Sequence, residues 1–210
     1  PLSNLDKLFI VSSSTVPAVN PLLIDRMAAI CEHIGVEPIL VFNKADLGGF
    51  DSLPETYRAV GYKTFVVSAE TGNGVDKLRG ELDGSVSAFC GNSGVGKSSL
   101  LNRLLDGVEL STGEVSEKLG RGKHTTRTVE LYKVSGGYVA DTPGFSTLEL
   151  IDFNLNDKDE LKFCFPEIEK FFGQCRFSSC THVNEPDCAV RNAVSSGNIA
   201  KTRHQSYVSM

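Results

Sequence analysis

The chain has 210 residues, 40% of them hydrophobic and 22% charged, with 21 Lys and Arg against 26 Asp and Glu for a formal net charge of −5. That composition excludes a disordered chain and a generic basic nucleic-acid coat, while leaving room for a local basic face. No apolar run approaches the ~20 residues of a membrane span, and no signal-peptide pattern opens the chain, so a cytoplasmic protein without membrane contact is expected. Residue 1 is Pro rather than Met, and the sequence reads as continuing from an earlier start. Cys175, Cys180 and Cys188 cluster near the end, which in a reduced compartment indicates metal binding rather than disulfides.

The first 150 residues alternate short apolar runs with helical stretches. Leu8-Phe9-Ile10-Val11 reads as a buried strand. Asn20 then supplies an N-cap, Pro21 a first helical residue and Gly35 a terminator, with Leu23, Met27, Ile30 and Ile34 at helical spacing. Residues 38–42 read as a second strand and 65–67 as a third, with a helix around 55–60 between them. A helix over 75–82, a strand over 86–90 and a helix over 97–105 follow. Residues 129–134 and 138–140, separated by Gly136-Gly137, read as a hairpin. Six strands with interleaved helices predict a doubly wound α/β sheet, mostly parallel, whose ligand loops gather at the carboxyl ends of the strands. From about residue 150 the pattern changes to a small helix-rich module, with short helices near 189–195 and 198–207. The expected domains are 1–149 and 150–210.

Gly91-Asn92-Ser93-Gly94-Val95-Gly96-Lys97-Ser98, between a strand and a helix, is a complete Walker A loop, with Ser99 next in the helix. Its glycines let backbone N–H groups turn toward phosphate. Lys97 would reach the β- and γ-phosphates, and the Ser98 hydroxyl would bind Mg²⁺. Asn43-Lys44-Ala45-Asp46 selects the base: the Asp46 carboxylate can accept from guanine N1–H and its 2-amino group, donors that adenine lacks. Asn43 would meet the other base edge, and the Lys44 stem would cover the ring. Ser68-Ala69-Glu70-Thr71-Gly72, after the third strand, would offer a backbone N–H to guanine O6. Asp141-Thr142-Pro143-Gly144 places Asp141 to hold Mg²⁺ through water and Gly144 to contact the γ-phosphate. In the last third, Cys175, Cys180, His182 and Cys188 supply three thiolates and an imidazole, a complete tetrahedral zinc set, one ion per chain.

These are the elements of a Ras-like GTPase in rotated order, with the base-reading motifs ahead of the phosphate loop. Circular permutation is tolerable because domain termini often lie close together on the surface. The loop after Gly144 then leads straight into the C-terminal module, so GTP loading is expected to reposition that module.

The rotated order, Gly120-Arg121-Gly122-Lys123-His124-Thr125-Thr126, Asp141-Thr142-Pro143-Gly144-Phe145 and the Cys/His cluster together resemble the RsgA/YjeQ family of circularly permuted GTPases. The resemblance covers essentially the whole chain. It implies a permuted Ras-like P-loop domain with a small helical zinc-binding module, and a ribosome-stimulated, Mg²⁺-dependent GTPase of small (30S) subunit assembly. Family members carry an N-terminal RNA-binding OB fold, for which these residues leave no room. The resemblance also implies Thr126, with Thr125 as the alternative, as the switch threonine on Mg²⁺. Phe145, where many GTPases carry the water-orienting Gln, cannot hydrogen-bond water, so His124 is the candidate for that role; a solvated loop His is the competing reading. Lys118, Arg121, Lys123, Arg127 and Lys133 could meet ribosomal RNA phosphates or belong to a solvated loop. GTP and GDP, the small subunit and its rRNA are the expected partners of a monomeric protein. A GTP-gated rRNA-binding scaffold, in which hydrolysis only times release, is the alternative.

Overall fold

Leu8-Phe9-Ile10-Val11 and Ile39-Leu40-Val41-Phe42 are apolar at every position rather than alternating, as in strands buried on both faces. In the computed structural model, which describes residues 4–105, 130–134, 136–141 and 158–210, they form β1 (Lys7–Ser13) and β2 (Glu37–Asn43). All of these side chains are buried. The other strands are β3 (Lys63–Val66), β4 (Val86–Cys90), β5 (Glu130–Val134) and β6 (Gly137–Asp141). Together they make a six-stranded sheet in the order β3-β2-β1-β4-β6-β5. Every neighbouring pair is parallel except the β5–β6 hairpin.

Phe9 pairs with Ile39 on one side and Phe89 on the other, and the Phe9 and Phe89 rings stack 4.6 Å apart. One sheet face buries Phe9, Val11 and Val41 with Leu78 of α3 (Val75–Gly80) and Leu100 and Leu104 of α4 (Lys97–Leu104). On the other face Phe42 meets Phe50 edge-on at 4.9 Å and Tyr57 of α2 (Leu53–Val60) at 6.1 Å. The parallel register brings the carboxyl ends of β1, β2, β4 and β6 to one edge of the sheet. The strand expected over 65–67 lies at 63–66. Val67 leaves the ladder with its N–H on Phe42 O (2.8 Å) and its carbonyl accepting from Ala45 (3.1 Å), which starts the next loop at that same edge.

By their contacts, residues 1–19 with 36–150 form one unit, and residues 20–35 with 151–210 a second. The helix expected within the first domain therefore groups with the C-terminal segment. It is α1 (Pro21–Ile34). The Asn20 side chain accepts from the Leu23 N–H (3.4 Å), and Gly35 ends the helix at φ 71°, where a side chain would be strained. Of the expected stripe Met27 and Ile30 are buried, together with Ile24, Ala28 and Cys31, whereas Leu23 is half-buried and Ile34, in the last turn, is 47% exposed.

The second unit adds α5 (Lys158–Leu161), a 3₁₀ turn at Lys162–Cys164, α6 (Pro166–Glu169), α7 (Ala189–Ser195) and α8 (Lys201–Ser209). The last helix starts later than the expected 198. Asn198 and Ile199 instead donate their N–H groups to Ala193 O (2.8 and 3.2 Å), closing a turn at Gly197, whose φ is 82°. At the centre of this unit Arg203, only 1% exposed, grips both Glu167 carboxylate oxygens (2.6 and 3.1 Å) and Asp25 Oδ1 (2.6 Å) beneath the Phe165 ring. The fork geometry of guanidinium suits such a bidentate grip.

Candidate functional site

The loop after β4 is shaped by backbone crowding. A Cβ on Gly91 (φ 141°) would lie 2.2 Å from Val11 O, and one on Gly96 (φ 93°) 2.4 Å from Asn43 Nδ2. Only glycine lets the chain turn this close to its neighbours. Gly96 caps α4, and the N–H groups of Lys97, Ser98 and Ser99, in its first turn, have no intrahelical acceptor at the positive end of the helix. Lys97 folds back over the loop, its ammonium donating to Gly91 O (2.7 Å) and Asn92 O (2.9 Å). Burial lowers its pKa and pushes the neighbouring Cys90 thiol up to about 12. The ammonium therefore has an exchangeable set of carbonyl partners where phosphate oxygens would be favoured.

The loops after β2 and β3 are tied to this one. Asn43, 1% exposed, donates from Nδ2 to Val95 O and accepts at Oδ1 from Ala69 N–H, both at 2.9 Å. One side chain thus links all three loops. Of the 68–72 backbone donors expected to serve guanine O6, the Ala69 N–H is engaged with Asn43 here. Ser68 Oγ donates to Asp46 Oδ1 (2.5 Å) and accepts from Thr71 N–H (3.0 Å), leaving the exposed Asp46 carboxylate fixed in direction. Lys44 sits in the left-handed region (φ 62°), its carbonyl accepting from Ser14 Oγ (2.7 Å) and its ammonium donating to Val16 O (2.6 Å). The residues of the three loops that were expected to bind nucleotide therefore come together.

Cys175, Cys180, His182 and Cys188 also come together, in the second unit: one ligand atom from each lies within 4.8 Å of every other. The Cys175 and Cys188 sulfurs are 3.9 Å apart, and each is 3.5 Å from His182 Nδ1. A zinc tetrahedron with ordinary bond lengths has edges of about 3.8 Å between sulfurs and about 3.5 Å from sulfur to nitrogen. The donor set and spacing fit zinc. Burial lowers the His182 pKa, favouring the neutral imidazole that binds metal. Burial first, then hydrogen bonds with Cys188 and Cys175, push the Cys180 thiol up to about 12.

Sequence reasoning missed the groups that hold this loop. The Glu185 carboxylate accepts from Thr181 N–H and Oγ1, Val183 N–H and Asn184 N–H at 2.6 to 3.0 Å. These bonds, the Thr181 hydroxyl first, hold its pKa down at about 2. His204 Nε2 meets His182 O at 2.8 Å, and Tyr207 OH donates to Thr181 O at 2.9 Å. Arg103 was missed as well: it reaches the Ala69 and Glu70 carbonyls from α4. The Glu185-Pro186 step beside the last ligand was a signal for the first of these. A lone Arg on an amphipathic helix gave none for the last.

His124, Thr125, Thr126, Gly144 and basic residues Lys118, Arg121, Lys123 and Arg127 lie outside the described residues, as does the Asp141 side chain. Lys133 lies on β5.

A family model described as RsgA GTPase matches residues 2–151. The chain belongs to the RsgA GTPase family. The small ribosomal subunit biogenesis GTPase RsgA of Caldanaerobacter subterraneus subsp. tengcongensis is 46% identical over 214 residues, covering 100% of this chain and 71% of that protein. The protein of the same name from Moorella thermoacetica is 45% identical over 210 residues, covering 99% and 71%. The crystal structure of YjeQ from Thermotoga maritima aligns with a TM-score of 0.79 at 37% identity, covering 99% of this chain and 70% of that one. YloQ, described as a circularly permuted GTPase, aligns at 0.77 and 33% identity, covering 98% and 67%. This chain is thus a GTPase on a circularly permuted fold, and its four-ligand cluster is compatible with a zinc-binding module. Among the described residues no helix is long and apolar enough to cross a membrane.

Proposed function

We propose that this chain hydrolyses GTP to GDP and phosphate in late maturation of the small ribosomal subunit, slowly alone and faster when docked on that subunit. The observation that carries the reading is the Asp46 carboxylate held by Ser68 beside a complete phosphate loop. The names of the relatives, which place them in small-subunit biogenesis, supply the setting.

In this reading Asp46 accepts from guanine N1–H and the 2-amino group. Lys97 exchanges its loop carbonyls for β- and γ-phosphate oxygens, and with the loop amides it stabilises charge as the phosphoryl group moves. Water attacks the γ-phosphorus, the bond to the bridging β-oxygen breaks, and GDP leaves with that electron pair. Ser98, Thr126 and the water-mediated Asp141 would hold Mg²⁺, which neutralises the phosphates when bound. His124 orients the attacking water, since Phe145 cannot. Residues 1–149 carry this chemistry, and the module 150–210 is stabilised by zinc on Cys175, Cys180, His182 and Cys188. The basic residues between 118 and 133 meet rRNA phosphates, and the protein works as a cytoplasmic monomer.

Sedimentation with separated ribosomal subunits, in GDP and in a non-hydrolysable GTP analogue, tests the setting. The reading expects the chain to travel with small subunits in the analogue and to be released in GDP. Equal binding to large subunits, or indifference to the nucleotide, would overturn it; indifference would favour the scaffold.

A further inference from the structure

The guanidinium of Arg103 lies in the last turn of the helix that begins at the phosphate loop, yet its partners are in the base loop. Nε donates to the Ala69 carbonyl and Nη2 to the Glu70 carbonyl. Nη1 lies against Gly72, where a Cβ would come within 3.1 Å of it. The helix turn that carries it is itself held, because Arg79 of α3 donates to the Arg103 carbonyl at 2.7 Å.

A trans peptide points its C=O and its N–H in opposite directions. Fixing the Glu70 carbonyl on Arg103 therefore aims the Thr71 N–H of the same peptide away from Arg103, and that N–H donates to Ser68 Oγ at 3.0 Å. Ser68 Oγ in turn donates to Asp46 Oδ1 at 2.5 Å. Fixing the Ala69 carbonyl aims the Glu70 N–H away from Arg103 in the same manner. Because Ala69 N–H is taken by Asn43, the Glu70 N–H is the next backbone donor in the loop for guanine O6.

We infer that Arg103 is a positioning residue for guanine recognition: it aligns the Glu70–Thr71 peptide, and through Ser68 the Asp46 carboxylate. The inference rests on the reading of Asp46 as the base-selecting group. A charged fork holding two successive carbonyls of the loop suits this task, and lysine cannot reproduce the two-pronged grip.

The test compares GDP and ADP dissociation constants by competition against a fluorescent guanine nucleotide, for the wild type, Arg103→Ala, Arg103→Lys and Asp46→Asn. Loss of two charge-assisted hydrogen bonds is expected to weaken GDP binding by about tenfold in Arg103→Ala. ADP binding, which uses the phosphate loop without this base contact, should stay within about twofold. Arg103→Lys should fall between the two while melting at the wild-type temperature. GDP affinity unchanged in both Arg103 variants, or GDP and ADP weakened in equal proportion, would overturn the inference. Asp46→Asn separates the two layers. If it leaves the preference for guanine intact, the base reading itself fails; if it abolishes the preference while the Arg103 variants keep theirs, only the role of Arg103 falls.

Discussion

Ser68 Oγ donates a 2.5 Å hydrogen bond to Asp46 Oδ1 across 22 residues of sequence, joining the ends of two neighbouring parallel strands. An exposed carboxylate ordinarily samples several rotamers, and binding a base in one of them costs side-chain entropy. The serine removes much of that cost beforehand. Ser68→Ala is therefore expected to weaken GDP binding by about fivefold, equivalent to about 1 kcal/mol, the net worth of one ordinary hydrogen bond. A titration with fluorescent GDP reads this directly. Unchanged affinity would mean that Asp46 is aligned by something else.

Gly96 stands where the phosphate loop touches the base loop. Its φ of 93° and the 2.4 Å approach of a Cβ to Asn43 Nδ2 make any side chain displace the asparagine amide or the loop. Gly96→Ala should cost about 1–3 kcal/mol of strain and reduce affinity for GDP by about tenfold or more. Isothermal titration beside a thermal melt separates lost binding from lost folding. Binding at wild-type strength would show that the loop accommodates the methyl group.

The second unit depends on charge buried within it. Replacing Arg203 with Met leaves Glu167 and Asp25 buried without their guanidinium. Stripping one side of a buried ion pair typically costs about 3–5 kcal/mol. Arg203→Met is expected to unfold this unit at a markedly lower denaturant concentration, measured by hydrogen exchange over residues 158–210. Protection equal to wild type would contradict a central role for the cluster.

Metal is the other support of that unit. Elemental analysis should find about one zinc per chain, and a strong chelator should remove it with loss of helical signal. Cys180→Ser should lower the zinc content in the same way. A zinc-free protein with full hydrogen-exchange protection over 175–188 would contradict the assignment.

Glu185 adds a pH dependence. Its folded pKa of about 2 lies below its ordinary value of 4.5, so it stabilises the fold above about pH 4.5, and that contribution is lost as pH falls toward 2. Solvent screens this half-buried group, leaving about 1 kcal/mol at neutral pH. The difference in unfolding free energy between wild type and Glu185→Ala should shrink as pH drops below 4.5. A difference independent of pH would assign the effect to packing instead.

The legible parts of the molecule were those written locally. Asn20, Pro21 and Gly35 bound α1 because caps are set by neighbours along the chain, and the phosphate loop is a single contiguous turn. The strand over 8–11 and the helix over 189–195 follow from their apolar patterns in the same way. What stayed hidden is long-range. Arg103 looks like a solvent-facing helix residue until its loop partners, 33 and 34 residues earlier, are placed beside it. Arg203 reads as a polar position on a short helix, but its partners lie 36 and 178 residues away. Ile34 shows the reverse error: helical spacing alone cannot tell the buried stripe from an apolar residue in the last turn.

The most direct test of the account is phosphate release from GTP and from ATP, alone and with purified small ribosomal subunits. The account predicts slow release from GTP alone, a large increase with small subunits, and no comparable release from ATP in either case. Equal turnover of the two nucleotides, or GTP turnover indifferent to small subunits, would contradict it.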